Sequence, residues 1–171
     1  MPKAHLTRRI RHSPEGLFDM VSDVERYPEF INLLSGLRIT KRLSETEFEA
    51  EAIVAYKMIS ETFRSHITAN REDLTIQVKK ADKSGVVKSL DNSWKFFPLK
   101  DGSSLVDVQV SVALKAKPLE FLLRDKFGKA SVHIVNLFET RASQNLPIVG
   151  DLDYDFKPEM IALGLDSSNL D

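Results

Sequence analysis

The chain has no cysteine. Disulfides, thiolate nucleophiles and cysteine-ligated zinc or iron–sulfur sites are thereby excluded. No segment approaches the roughly 18 uninterrupted apolar residues of a membrane span. No apolar stretch follows Lys3 as a secretion signal would need, and Pro14 comes too early for an amphipathic transit helix, so a cytoplasmic location is expected. The seven glycines are dispersed rather than gathered into a phosphate-cradling loop. Neither a Gly-x-Ser-x-Gly elbow nor a His-Glu-x-x-His helix occurs. The four histidines, His5, His12, His66 and His133, include no pair at i,i+4 spacing. No metal site and no cofactor is expected.

What is present is ordinary for one globular domain: 171 residues, 42% hydrophobic and 29% charged. The net charge of −1 hides an asymmetry. Residues 151–171 hold six acids and one base, which leaves +4 for residues 1–150. A mildly basic body with a sequence pI near 6.4 is a weak nucleic-acid signal, and DNA is not an expected partner.

Periodicity orders the elements. Residues 3–12 alternate weakly, with Leu6, Arg8 and Ile10 on one face. Ser13-Pro14 is a helix start, and Leu17, Phe18 and Val21 follow at three- and four-residue steps. Tyr27-Pro28 is expected to break the chain before a short second helix over Phe30, Ile31, Leu33 and Leu34. Six strand-like segments follow, at 37–43, 47–56, 60–69, 74–80, 86–97 and 104–114. Their period of two predicts antiparallel strands with one wet face, and Asp101-Gly102 predicts a hairpin between the last two.

From Pro118 to about Ser143 the period turns helical. Leu119, Leu122, Leu123, Phe127, Ala130, Ile134, Leu137 and Phe138 form one stripe. Pro147 and Gly150 are expected to end the folded part, leaving 147–171 as a loosely attached acidic tail; Met160, Ile161, Leu163 and Leu165 suit a short docking helix. The expected class is α+β, a curved antiparallel sheet wrapped around a long C-terminal helix, with space enclosed between the two.

The residues proposed to line that space are Phe48, Ala50, Ala52, Tyr56, Phe63, Asn92, Trp94 and Phe96 from the sheet. The helix adds Phe127, Ala130, Ile134 and Phe138. Small residues facing small residues (Ala50, Ala52, Ala130, Ser131) leave volume that a packed core fills. Asn92 needs a hydrogen-bond partner if buried, supplied by a ligand carbonyl, a backbone group or water. Tyr27, Phe30, Ile31, Leu33 and Leu34 form a candidate lip for membrane contact, flanked by Arg26 and Arg38. Glu61 and Arg8, each on an apolar strand face, are either water-exposed or a buried acid–base pair.

Four segments carry a family resemblance: Asp23-Val24-Glu25-Arg26-Tyr27-Pro28-Glu29-Phe30, Leu90-Asp91-Asn92-Ser93-Trp94-Lys95-Phe96, Leu105-Val106-Asp107-Val108 and Phe138-Glu139-Thr140-Arg141-Ala142. In this order they resemble the polyketide cyclase/dehydrase and lipid-transport superfamily, with the helix-grip fold of START and Bet v 1-like domains. Within it, the chain is most similar to the coenzyme Q-binding protein family and its relatives, the ribosome association toxins. The resemblance covers about 1–145 and leaves the acidic tail outside.

It implies a START-like domain over 1–146 that binds ubiquinone or a polyprenyl precursor. The implied role is that of a chaperone or carrier for respiration and quinone biosynthesis, without catalysis, visiting the inner-membrane surface from the cytoplasm. Quinone-biosynthesis or respiratory proteins would be partners. The alternatives are a ribosome-subunit-binding protein, with the basic first strand as its feature, and a cyclase or dehydratase using Glu61 and Arg8. About two or three isoprene units suffice for micromolar binding at ~0.8 kcal/mol per buried methylene, after ordering costs.

Overall fold

The computed structural model describes residues 1–56 and 59–171, with the backbone alone described at Tyr56 and Ile59. Strand β1 (Lys3–Ile10) leads into helix α1 (Pro14–Ser22). Ser13 caps α1 as its sequence predicts: the hydroxyl accepts the Gly16 N–H at 3.1 Å, with Pro14 at the first helical position. The apolar face of α1 buries Leu17, Phe18 and Val21.

The next turn departs from expectation. A 3-10 helix spans Val24–Glu29 with Tyr27-Pro28 inside it, and no helix forms over Phe30–Leu34. The fixed φ of Pro28 suits a 3-10 turn as well as it suits a break. The Phe30 and Ile31 N–H groups both donate to the Tyr27 carbonyl, at 3.1 and 2.9 Å, which closes the turn. Leu34 then opens a strand.

That strand is β2 (Leu34–Arg42), followed by β3 (Glu47–Tyr56), β4 (Ile59–Asn70), β5 (Thr75–Lys80), β6 (Val87–Pro98) and β7 (Ser104–Leu114). All neighbours are antiparallel, in the order β1-β7-β6-β5-β4-β3-β2. The hairpin at Asp101-Gly102 forms as predicted. Gly102 takes a φ of +91°, a region glycine enters without penalty, and the Leu99 N–H donates to the Ser103 carbonyl at 2.9 Å.

Helix α2 (Lys117–Asn145) has 29 residues, roughly 43 Å at 1.5 Å per residue. Its second half is seated, burying Val135, Phe138 and Ala142. Its first half is not: Leu119, Phe121 and Leu122 are 47%, 61% and 67% exposed. Leu119 and Leu122 therefore leave the predicted inward stripe, and Val135 joins it. The cause is asymmetric filling. Helix α1 occupies one end of the sheet with Leu17, Phe18 and Val21, against Phe96, Val106 and Ala142. Among the described residues, nothing equivalent fills the other end.

The tail is not loose. Helix α3 (Lys157–Ala162) places Met160, 2% exposed, against Leu99 and Leu105 on the outer face of the β6–β7 end, with Tyr154, Phe156 and Leu165 around them. Ile161 and Leu163 remain exposed. The chain end then runs beside β1, where the Asp171 N–H donates to the Thr7 carbonyl at 2.9 Å. Part of the predicted wet face is therefore dry: Thr7, Ser103 and Asp107 are buried there, Thr7 donating to Asp107 at 2.8 Å.

Asp101 fastens this arrangement. It accepts from Arg9 at 2.6 Å, from the Ser103 hydroxyl at 2.6 Å and from the Asp151 N–H at 3.1 Å. Gly150 has a φ of +75°, and a Cβ there would collide with the Asp101 carboxylate. Burial opposes the charge on Asp101, but these bonds outweigh it and hold the carboxyl down at about 2. A depressed carboxyl stabilises the docked state above the usual carboxylate range and loses that contribution as pH falls toward 2. Protection of the amides across 151–165, measured against the unfolded-chain exchange rate at the same pH, should therefore fall over that window in the wild type. Asp101→Asn should abolish the step; a step of unchanged size would assign it to another group.

Candidate functional site

A cavity of about 450 Å³ lies between the sheet and α2. That is within the ~300–1,000 Å³ of small-ligand sites. Its walls are almost wholly apolar. Val108 and Val110 of β7, Leu90 and Trp94 of β6, Val78 of β5 and Ile67 of β4 form the sheet side. Ala50 and Ala52 of β3, paired with Ile39 and Leu37 of β2, supply its shallow side. Phe127, Ala130, Ile134 and Phe138 come from α2. The volume exists because Ala50, Ala52 and Ala130 project little into it, while the seated second half of α2 stops its first half from descending.

Polar groups in the wall are few. Asn92 is satisfied by protein: its amide donates to the Gln109 carbonyl at 2.9 Å, and its carbonyl accepts the Trp94 indole N–H at 2.9 Å. Asn92 thus orients Trp94, which answers the question its sequence position raised. The Ser131 hydroxyl is turned back to the Phe127 carbonyl at 2.8 Å. Tyr27 donates to the Val21 carbonyl; burial, reinforced by the Asp23 charge, pushes its hydroxyl well above the usual range, so it stays neutral. Ser65 is the remaining hydroxyl on the wall among the described residues.

At the base of α2 an aromatic cluster closes the cavity. The Phe138 ring lies 5.1, 5.2 and 5.0 Å from those of Tyr27, Phe30 and Trp94, all edge-on.

Of the residues singled out by sequence, Ala50, Ala52, Asn92, Trp94, Phe127, Ala130, Ile134 and Phe138 stand on the wall, as do Tyr27, Ile31, Leu33 and Leu34. Phe48, Phe63, Phe96 and Phe30 do not. They face inward but at the wrong depth. Phe48 is buried in the packed core beneath Arg42, and Phe96 lies under α1, edge-on to Phe18 at 6.2 Å. Phe63 lies beside Lys80, whose ammonium is 5.7 Å from its ring. Phe30 is held between Tyr27 and Phe138, with Arg141 at 5.3 Å from its ring. The side chain of Tyr56 lies outside the described residues.

The wall residues not singled out are mostly aliphatic: Val24, Leu37, Ile67, Val78, Leu90, Val108, Val110 and Val135. Strand alternation already placed Val78, Leu90, Val108 and Val110 on inward faces; an aliphatic side chain there reads as core as readily as wall. Lys80 carried no signal. Its side chain is 3% exposed, and its ammonium donates to the Asp82 carboxylate at 2.6 Å and to the Asp82 and Ser84 carbonyls at 2.7 Å. That bond holds the Asp82 carboxyl below the usual range. Lys80 pins the β5–β6 loop across the open end of the sheet.

Glu61 and Arg8 are not partners. Glu61 accepts the Val86 N–H at 3.2 Å beside Gly85, while Arg8 binds Glu139 at 2.9 Å and the Asp171 carboxylate. Neither lines the cavity, so this candidate acid–base pair is not assembled there. His66 faces Glu47 at 3.7 Å, and His133 is exposed and off the cavity wall. The bases flanking the proposed lip have acidic neighbours: Arg26 binds Asp23 at 2.9 Å, and Arg38 lies 3.5 Å from Glu51. Of the five lip residues only Leu33, at 41%, is substantially exposed. Among the described residues, no helix is long and apolar enough to cross a membrane.

Comparison with known proteins agrees with this architecture. The chain is 30% identical over 135 residues to the ribosome association toxin RatA of Vibrio cholerae, covering 79% of this chain and 91% of that protein. It superposes with a TM-score of 0.70 on a START superfamily protein from Mycobacterium smegmatis, at 20% identity over 83% of this chain and 97% of the other. The score is again 0.70 on an aromatase/cyclase from Streptomyces, at 13% identity over 83% and 93%. These likenesses establish a START/Bet v 1-like fold. The family model described as polyketide cyclase/dehydrase and lipid transport matches residues 10–139. Sheet, gripped helix and sequence match together place the chain in the polyketide cyclase/dehydrase and lipid transport family.

Proposed function

We propose that the protein binds a hydrophobic polyprenyl quinone, ubiquinone or a precursor of it, in the cavity between sheet and α2, and carries it without transforming it. The observation behind this reading is the cavity itself: about 450 Å³ walled by aliphatic and aromatic groups. Its own polar atoms are largely satisfied by protein. An apolar void of this kind stays dry and favours an apolar guest. The Ser65 hydroxyl on the wall suits one ring carbonyl rather than a charged headgroup. A long tail extends past the exposed first half of α2, so the entire lipid need not be enclosed.

Organic-solvent extraction of the purified protein followed by mass spectrometry tests this. A stoichiometric polyprenyl quinone is the expected result; a protein that stays lipid-free after incubation with quinone-containing membranes overturns it.

A second reading has its own support in the relatives named as ribosome association toxins. Its sequence feature, the basic first strand, is engaged within the chain. Arg8 binds Glu139 and Asp171, Arg9 binds Asp101, and Arg11 donates to the Gly150 carbonyl at 2.9 Å. Co-sedimentation of the lipid-free protein with ribosomal subunits would favour this second reading over the carrier.

A further inference from the structure

The open end of the molecule carries large apolar side chains that the fold leaves uncovered. Phe121 and Leu122, at 61% and 67% exposed, stand on the first turns of α2 with Leu119. Val86, 40% exposed, precedes β6 at the entry to α2, its carbonyl accepting the Lys115 N–H at 3.0 Å. The Lys115 ammonium reaches the Lys83 carbonyl, which joins the β5–β6 loop to the entry of α2.

Basic groups surround these side chains. Residues 115–130 hold five bases against Glu120 and Asp125. Lys117 is 83% exposed, and the Arg124 guanidinium lies 4.9 Å from the Phe121 ring. Three of the nearby acids are engaged within the protein, and Asp125 is exposed. Glu120 is buried, accepting the Leu114 N–H at 2.9 Å; Asp82 binds Lys80; Glu61 accepts the Val86 N–H. The exposed charge is therefore mainly basic: Lys117, though 3.8 Å from Glu120, keeps its ammonium in solvent, and Asp125 is the exposed acid of 115–130.

We infer that this end, the first turns of α2 with the β5–β6 loop, docks on an anionic lipid bilayer, Phe121 and Leu122 entering the headgroup boundary while Lys83, Lys115, Lys117 and Arg124 meet the lipid phosphates. The charge matches an anionic surface, and exposed leucine and phenylalanine among lysines match an interface that is polar outside and apolar beneath. A nucleic-acid groove would use the bases but leave Leu119, Leu122 and Val86 without a role, since aliphatic side chains do not stack on bases. Among the described residues the docking end is also the unfilled end of the sheet, so the cavity faces the bilayer rather than bulk water. This relocates membrane contact from the lip at Tyr27–Leu34, whose side chains are largely folded in. It rests on the carrier reading for its purpose, and its test is independent of cavity occupancy.

The experiment is co-sedimentation of the full chain with phosphatidylcholine vesicles carrying phosphatidylglycerol, against pure phosphatidylcholine vesicles. Binding should be confined to the anionic vesicles and weaken with salt. Neutralising Lys117→Gln with Arg124→Gln should weaken it about 30-fold, taking ~1 kcal/mol per base. Phe121→Ser with Leu122→Ser should weaken it by about tenfold or more. Both pairs are exposed, so folding survives, and circular dichroism verifies it. The cavity-filling change Ala52→Phe should leave vesicle binding intact. Should both folded double variants bind like wild type, the docking face is wrong. Loss of ribosomal-subunit binding with vesicle binding unchanged would equally overturn it, making the face a ribosome contact. Face-dependent vesicle binding by a protein that never yields a lipid supports the docking while sinking the carrier reading.

Discussion

Phe138→Ala is expected to destabilise the protein by about 3–5 kcal/mol, the usual cost of truncating a buried phenylalanine. Phe138 is 5% exposed, and three aromatic rings meet its edges or faces within 5.2 Å. Each such pair adds ~0.5–1.5 kcal/mol beyond area burial. Truncation frees Tyr27 and Phe30 of the 3-10 turn, Trp94 of β6 and the second half of α2 from one another. The surrounding atoms cannot collapse, because a cavity already adjoins the site; the new void merges with it. For a chain of this size a loss of ~4 kcal/mol lowers Tm by roughly 8–16 °C. Urea titration with an unchanged slope and a reduced midpoint is the expected record. A loss below about 1 kcal/mol would show that α2 is held without this cluster.

The second large effect concerns occupancy rather than stability. Ala52→Phe combined with Ala130→Phe should reduce co-purifying lipid by about tenfold or more, because each ring takes up apolar volume that the guest otherwise fills. Stability should stay within about 1–2 kcal/mol of wild type. Overpacking is costly in a filled core, but here the added rings enter space that is empty of protein. A folded double variant with undiminished lipid would place the ligand elsewhere. Trp94→Ala is a weaker probe, since it also breaks the indole bond to Asn92 and removes an aromatic partner of Phe138. The alanine pair separates the cavity from the core; the tryptophan does not.

Local chemistry was legible residue by residue. The Ser13-Pro14 cap, the Asp101-Gly102 hairpin and the six strands after the first helix all follow from side-chain period and turn residues, which act within a few positions of each other. The same reasoning put Ala50, Ala52, Trp94, Ala130 and Phe138 on facing surfaces. It failed at Val24–Glu29, where a proline serves a 3-10 turn as readily as a break. For the tail it found the short helix that docks through Met160 but not its seat, since Leu99 and Leu105 lie some fifty residues earlier and show no local sign of being covered.

By itself, then, the sequence determined which side of each element faces inward, because strand and helix periods are properties of the backbone. Only the tertiary structure decided depth along that inward face. Phe48, Phe96 and Trp94 share the same alternation, yet Phe96 is sealed under α1 and Phe48 beneath Arg42, both in solid core, while Trp94 borders the hollow. Which end fills depends on sheet curvature and on the seat of α1, both set by contacts distant in the chain. The same non-local filling leaves the first half of α2 raised from the sheet and its apolar side chains uncovered.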